Sequence, residues 1–360
     1  MKPFRGVLLL LLTVGPIGPA RAQRLDPLDL LQCRGKEGTF VAKTTAEWLP
    51  RRSEILQAMQ SVMGKMPGDD KRCPLDVRVE EETDCGTYVR RLISYASEPG
   101  SRTPAYLCIP KAALAKDAAP VPAALCLHPT DNSIGFKVVV GLGGKQHRQY
   151  AAELAERGFV TISPSYPQLA QYQPDLKALG YESGTMKAIW DNRRALDVLD
   201  SLPFVKHDSY GAIGHSLGGH NAIFTAVFDH RISVIVSSSG FDCFGDYYGG
   251  KPELWVHGKG WCQDRYMPKL AEYQNKLKDI PFDFPELIAA LAPRDVFINA
   301  PLKDSNFHAE SVDRVVKAAS AVYALHQAQG HLIVDHPDSE HDFPDAQREK
   351  AYVLMEKVLK

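Results

Sequence analysis

The feature that most constrains this chain is a rhythm that starts near Tyr88 and continues almost to its last residue. Short apolar runs rich in Val, Ile and Leu alternate with longer stretches of helical periodicity. The runs at 88–95, 105–109, 123–127, 160–163, 211–214, 232–237, 295–298 and 332–335 suit strands covered on both faces. Between them, 149–157 ends at Gly158, a residue that closes helices well. The stretch 185–202 sets Met186, Ile189, Trp190, Leu196 and Leu199 on one stripe and stops at Pro203. A further stripe over 311–329 ends at Gly330, and the last repeats Ala351, Leu354, Met355, Val358 and Leu359. Strands alternating with helices of this length predict βαβ units. The expected fold is α/β, with a mainly parallel central sheet of about eight strands and helices on both faces. The first two runs have no helix between them and should pair as an antiparallel hairpin at one edge.

Two stretches break the rhythm. Residues 23–85 are polar and mixed, with a helix expected over 46–63, and read as an N-terminal extension to a domain at 86–360. Residues 240–292 form a long insertion holding Phe241, Phe244, Tyr247, Tyr248, Trp255, Trp261, Tyr266 and Tyr273. Rings concentrated in such an insertion suit either a cap over a substrate cleft or simply the insertion's own core.

The first residues carry a separate message. Lys2 and Arg5 precede the apolar run Val7–Leu12, and Ala20-Arg21-Ala22 offers small residues where a signal peptidase cuts. Residues 1–22 are expected to be a signal peptide removed near Ala22, leaving a secreted or periplasmic protein. The run is too short for a stable membrane anchor. A formal charge of −1 with interspersed signs argues against a nucleic-acid partner. Seven cysteines leave at least one unpaired. Cys108 and Cys126 read as buried thiols, whereas the pairs Cys73/Cys85 and Cys243/Cys262 could each be bridged in an oxidising compartment.

The chemistry centres on Gly214-His215-Ser216-Leu217-Gly218, a G-x-S-x-G pattern between the run at 211–214 and a helix at 219–228. A strand–turn–helix setting is what a nucleophile elbow requires. The small residues let strand and helix pass closely around a strained serine, and the helix N-terminus faces developing negative charge. Serine needs a base, and histidine suits the task because it titrates near neutrality. After the last run come His336 and His341. His336 abuts the strand end and precedes Pro337, so His341, further into the loop, is the expected base. Asp304 follows the run at 295–298, where a carboxylate would orient the imidazole. Asp295 lies at the wrong end of that run, and Glu310 reads as a first-turn helix residue. The amides of Leu217 and Thr130 are the expected oxyanion donors, with His128 bracing the Thr130 loop.

With these residues in place the chain resembles the dienelactone hydrolase-like and acetyl xylan esterase-like α/β-hydrolases. The likeness rests on GHSLGGH at 214–220, LHPT at 127–130, ERGFVTISPSYP at 156–167, APRDVFINAPLKD at 292–304 and EHDFP at 340–344. It covers roughly 86–360. It implies an α/β-hydrolase fold, Ser216, Asp304 and His341 as the triad, and a serine esterase acting on a small-molecule or carbohydrate ester. Acetyl and feruloyl esters of carbohydrates are the expected substrates, with no cofactor and no metal. The sequence departs from a true dienelactone hydrolase, whose nucleophile is cysteine. Ser165 also stands where relatives often carry an acidic residue, and residues 23–85 have no counterpart in the resemblance.

Other readings are weaker. A peptidase could use the same fold and triad. A metal-dependent deacetylase would draw on Asp335, His336, His341 and Asp342, whose spacing puts no pair one turn apart on a helix. A phosphate loop at 141–145 lacks the Ser or Thr that should follow Lys145. A non-catalytic binding protein would have no need of the triad candidates.

Overall fold

A computed structural model describes residues 24–360; the expected signal peptide lies outside the described residues. In chain order the elements are β1 (Gln32–Gly35), β2 (Gly38–Val41), α1 (Thr45–Met63), β3 (Arg78–Asp84), β4 (Tyr88–Glu98), β5 (Ser101–Pro110) and β6 (Val121–Leu127). Then follow α2 (Tyr150–Glu156), β7 (Val160–Pro164), α3 (Gly184–Asp200), β8 (Val205–His215), α4 (Leu217–Phe228) and β9 (Ile232–Ser238). The chain finishes with α5 (Phe284–Ala290), β10 (Asp295–Asn299), α6 (Ala309–Leu325), β11 (Leu332–Asp335) and α7 (Asp345–Leu359).

Nine strands form the main sheet in the order β11-β10-β9-β8-β6-β7-β5-β4-β3. The six from β11 to β7 are parallel, and β5, β4 and β3 extend the sheet antiparallel. The chain leaves β6 for β7 on one side and returns through α3 to β8 on the other. Loops after β6 and β8 therefore diverge at a topological switch point, where open α/β sheets hold their ligands.

Alternation along each strand feeds two apolar layers. Ala105, Leu107 and Ile109 face one core and Tyr106 and Cys108 the other; Val296 and Ile298 oppose Phe297 in the same way. Helices α3, α4, α5 and α6 cover the first face, and α2 and α7 the second. This two-sided burial is why the strands read as near-continuous apolar runs.

The edge differs from the expectation. β4 and β5 do form the antiparallel hairpin, but the sheet ends on β3, from within the stretch set aside as an extension. β3 reads Arg-Val-Glu-Glu-Glu-Thr-Asp and is exposed along nearly all of its length, so it carries no apolar signature. Charge on an edge strand discourages pairing with other chains. It is held in register by pairs such as Glu82 with Arg91, 2.7 Å apart.

The extension is fastened to the insertion. Thr44 and Glu47 form a capping box at the start of α1. From that helix Arg51, itself buried, reaches Glu286 of α5 at 3.1 Å, and Arg52 donates to the carbonyls of Ala290 and Val227. Within the insertion, Phe241 stacks on Phe284, while Phe244 packs edge-on against Trp255, Phe282 and Phe284. Most of the insertion's rings thus make its own core, and a smaller group faces the site described below. All seven cysteines are free, so neither the Cys73/Cys85 nor the Cys243/Cys262 pair is bridged.

A buried ionic network ties α3 to β4. Lys187, with no exposed side-chain surface, lies 3.0 Å from Glu98 and bonds Asp191 and Ser97. Tyr172 donates to Asp191 and Tyr181 to Glu98. Lys187→Met should cost about 3–5 kcal/mol in denaturant unfolding, because buried Asp191 loses its cation and Glu98 is left with Lys71 alone. A loss below about 1 kcal/mol would show that the network does not contribute as its burial implies.

Candidate active site

Ser216 stands between β8 and α4 with φ 55° and ψ −123°, a conformation that L-residues rarely adopt. Its amide donates to the Ser238 carbonyl at 2.7 Å, and its carbonyl accepts from the His220 amide at 3.0 Å. The crossing is tight. A Cβ on Gly214 would lie 2.2 Å from the Gly218 carbonyl carbon, and one on Gly218 would lie 2.0 Å from the Leu127 carbonyl oxygen. Two glycines are thus required by the turn itself. The Ser216 side chain does not cap α4, so the helix begins at Leu217 with its positive end towards the serine.

The other two predicted residues meet. The loops after β10 and β11 are joined by backbone hydrogen bonds, from Leu302 to Pro337 and from Lys303 to Ser339, each 3.0 Å. From these loops His341 Nδ1 donates to Asp304 Oδ2 at 2.8 Å. The Asp304 side chain is fully buried, and its other oxygen accepts the Asn306 and Phe307 amides at 2.8 and 3.2 Å. The carboxylate is therefore oriented, and it fixes the tautomer that leaves His341 Nε2 able to accept a proton. The His341 ring keeps 23% of its surface exposed and packs 4.7 Å from the ring of His215, the neighbour of Ser216. His215 is buried and bonded to Ser238 Oγ; burial first, then the fields of Arg148 and His341, hold its pKa well below the ordinary value. A neutral ring beneath His341 adds no like charge when that residue takes a proton.

His336 is committed elsewhere, to the Ala300 carbonyl and Asp313. Asp335 pairs with Lys350, and Asp342 with Arg148 and His147. The residues of the metal reading thus turn to separate partners. Among the described residues no three His, Cys, Asp or Glu side chains cluster as a metal site. Asp295 pairs with His331, and Glu310 lies in the first turn of α6.

On the opposite side, Thr130 Oγ1 bonds the Tyr266 hydroxyl at 2.8 Å. His128 Nε2 accepts the Tyr166 amide and Nδ1 donates to the Pro129 carbonyl, while burial lowers its pKa to about 4. It braces the loop as a neutral ring. Tyr247, Trp261 and Phe307 continue from Tyr266 to His341 as a wall of rings. Sequence reasoning missed Phe307, His215 and Arg148 as parts of this site and offered Tyr266 only as one ring of the insertion. His215, inside the motif, and Tyr266, in the aromatic insertion, had signals that pointed here.

Sheet order, switch point and strained serine define an α/β-hydrolase, the fold class of many esterases. A family model described as glucuronyl esterase, fungi, matches residues 175–326, a stretch that holds Ser216 and Asp304. The structure is similar to a glucuronoyl esterase from Solibacter usitatus, with TM-score 0.72 and 17% identity over 93% of this chain and 98% of that one. A Bacteroides fragilis NCTC 9343 structure assigned as an acetyl xylan esterase gives TM-score 0.56 and 16% identity, covering 87% of each chain. In sequence, the YtaP protein of Bacillus subtilis (strain 168) is 30% identical over 148 residues, 38% of this chain and 41% of that protein. The match therefore spans less than half of that relative. The Solibacter alignment also reaches well beyond 86–360, which is about three quarters of the chain, so the extension has structural counterparts.

Beneath the acid loop, buried Asp242 accepts the His308 amide. Burial, reinforced by Asp246 and Asp283, raises its pKa to about 8. The unfolded carboxyl releases its proton near pH 4, so this group withdraws stability as pH rises from about 4 to about 8. Asp242→Asn keeps the acceptor and should flatten the decline in melting temperature across that window. An unchanged slope would assign the decline to other groups.

Proposed function

We propose that the chain is a secreted serine esterase that cleaves carbohydrate esters through an acyl-enzyme. The observation that carries the reading is Ser216 on a strained elbow at the switch point, with His341 already bonded to a fully buried Asp304. Signal-like residues at 1–22 support secretion. The family-model match favours glucuronoyl esters, and acetyl esters of the same carbohydrates are the second class to test.

In this mechanism His341 Nε2 takes the Ser216 proton as Oγ attacks the ester carbonyl. Asp304 stabilises the imidazolium that forms. The Leu217 and Thr130 amides hold the oxyanion, and the Tyr266 contact keeps the Thr130 loop in place. The tetrahedral intermediate collapses, the C–O bond breaks, and His341 returns the proton to the leaving alcohol. Water, deprotonated by the same imidazole, attacks the acyl-enzyme, and collapse releases the acid and restores the Ser216 hydroxyl.

The test is labelling with a fluorophosphonate, beside turnover of methyl glucuronate, acetylated xylo-oligosaccharides and 4-nitrophenyl acetate. Adduct at Ser216 and faster glucuronate than acetate release are expected. Ser216→Ala should reduce kcat about 10⁶-fold, and Asp304→Asn about 10⁴-fold through loss of the correct tautomer. Turnover without labelling at Ser216 would remove the serine mechanism, and preference for acetyl groups would reassign the substrate.

A further inference from the structure

The segment before α2 places a buried cation behind the His341 loop. Arg148 is 3% exposed, and its Nη1 donates to Asp342 Oδ1 at 2.6 Å. Its Nη2 donates to the main-chain carbonyl of His341 at 3.3 Å. His147 Nδ1 meets the other Asp342 oxygen at 2.8 Å, so adjacent residues grip one carboxylate. His147 adopts φ 62° to do so, following Gly143 and Gly144, which also have positive φ. Strain of this kind persists only where its surroundings hold it. From the other side, Asn299 Nδ2 donates to the Asp342 carbonyl at 2.9 Å and to Ser238 Oγ at 2.8 Å. Ser238 Oγ in turn meets His215, whose ring packs on His341. The peptide groups on either side of Asp342 are therefore both held, yet neither Arg148 nor Asp342 shares a hydrogen bond with Ser216 or Asp304.

We propose that Arg148 is the positioning residue of the catalytic histidine, clamping its loop through Asp342 and the His341 carbonyl. The assignment rests on the triad reading above. A base on a flexible loop pays for its placement at each turnover, whereas a clamped one starts near the reactive geometry. The charges round His341 fit this arrangement. Asp304 faces its ring nitrogen, neutral His215 lies beneath it, and the Arg148–Asp342 pair sits behind. Lys145 and Glu340, both exposed, line an open cleft of about 450 Å³ beside it.

The test is a double-mutant cycle on the full chain. Arg148→Met should lower kcat for 4-nitrophenyl acetate about 10²-fold, the scale of a misplacement near 1 Å, with KM little changed. Arg148→Lys, which restores a cation and one donor, should recover part of the loss. In a His341→Ala background, Arg148→Met should cost nothing further, because the group it places is gone. Equal losses in both backgrounds, or a raised KM at unchanged kcat, would overturn the proposal. Should Arg148→Met fail to fold, Asp342→Asn releases the same clamp and must show the same non-additivity; an additive loss again overturns it. Full activity of His341→Ala alone would instead remove the triad reading itself.

Discussion

The close passage of the β8–α4 turn over the end of β6 is the constraint on which the site depends. The Gly218 position lies against the Leu127 carbonyl, and Gly214 against Gly218, with no room for a side chain at either. This crossing exposes Ser216 at the sheet's C-terminal edge and aims the start of α4 at the same point. The backbone strain at Ser216 is sustained by its amide bond to Ser238 and by the buried sheet below. The same crossing puts the end of β6 next to the serine turn, so the Thr130 loop leaves from beside it.

Around that point the fold solves one geometric problem three times. Asp304, His341 and Thr130 lie on long loops that would be mobile alone. Each is fastened by groups outside the reaction: the Asp304 loop by backbone bonds to the His341 loop, the His341 loop by Arg148, and the Thr130 loop by His128 and Tyr266. The insertion supplies Tyr266, and its aromatic core joins α4 through His220, Phe224 and Trp261. Arg51 and Arg52 then lock the extension onto α5 and the end of α4. Packing well away from Ser216 thereby stiffens the site.

Strand and helix periodicity was legible because the inner parallel strands are buried on both faces and helices such as α6 on one stripe. β3 was illegible, since a charged edge strand has no apolar face to display. The candidate triad was proposed from chain order and strand ends, and the structure brings two of its members, His341 and Asp304, into hydrogen-bond contact. The long-range partners were not legible: Arg148 lies 194 positions from Asp342, and Tyr266 lies 136 from Thr130. Nothing in local pattern links residues so far apart.

The sequence by itself determined the βαβ rhythm and the glycine-flanked elbow, and it favoured His341 over His336 by position in the loop. These follow from local sterics and period, which act over a few residues. Only the tertiary structure decided that the insertion's rings serve mainly as core, that the cysteines remain unbridged, and that a buried arginine holds the histidine loop. Those outcomes depend on which distant segments share a low-dielectric interior, and that is settled when the sheet closes against its helices.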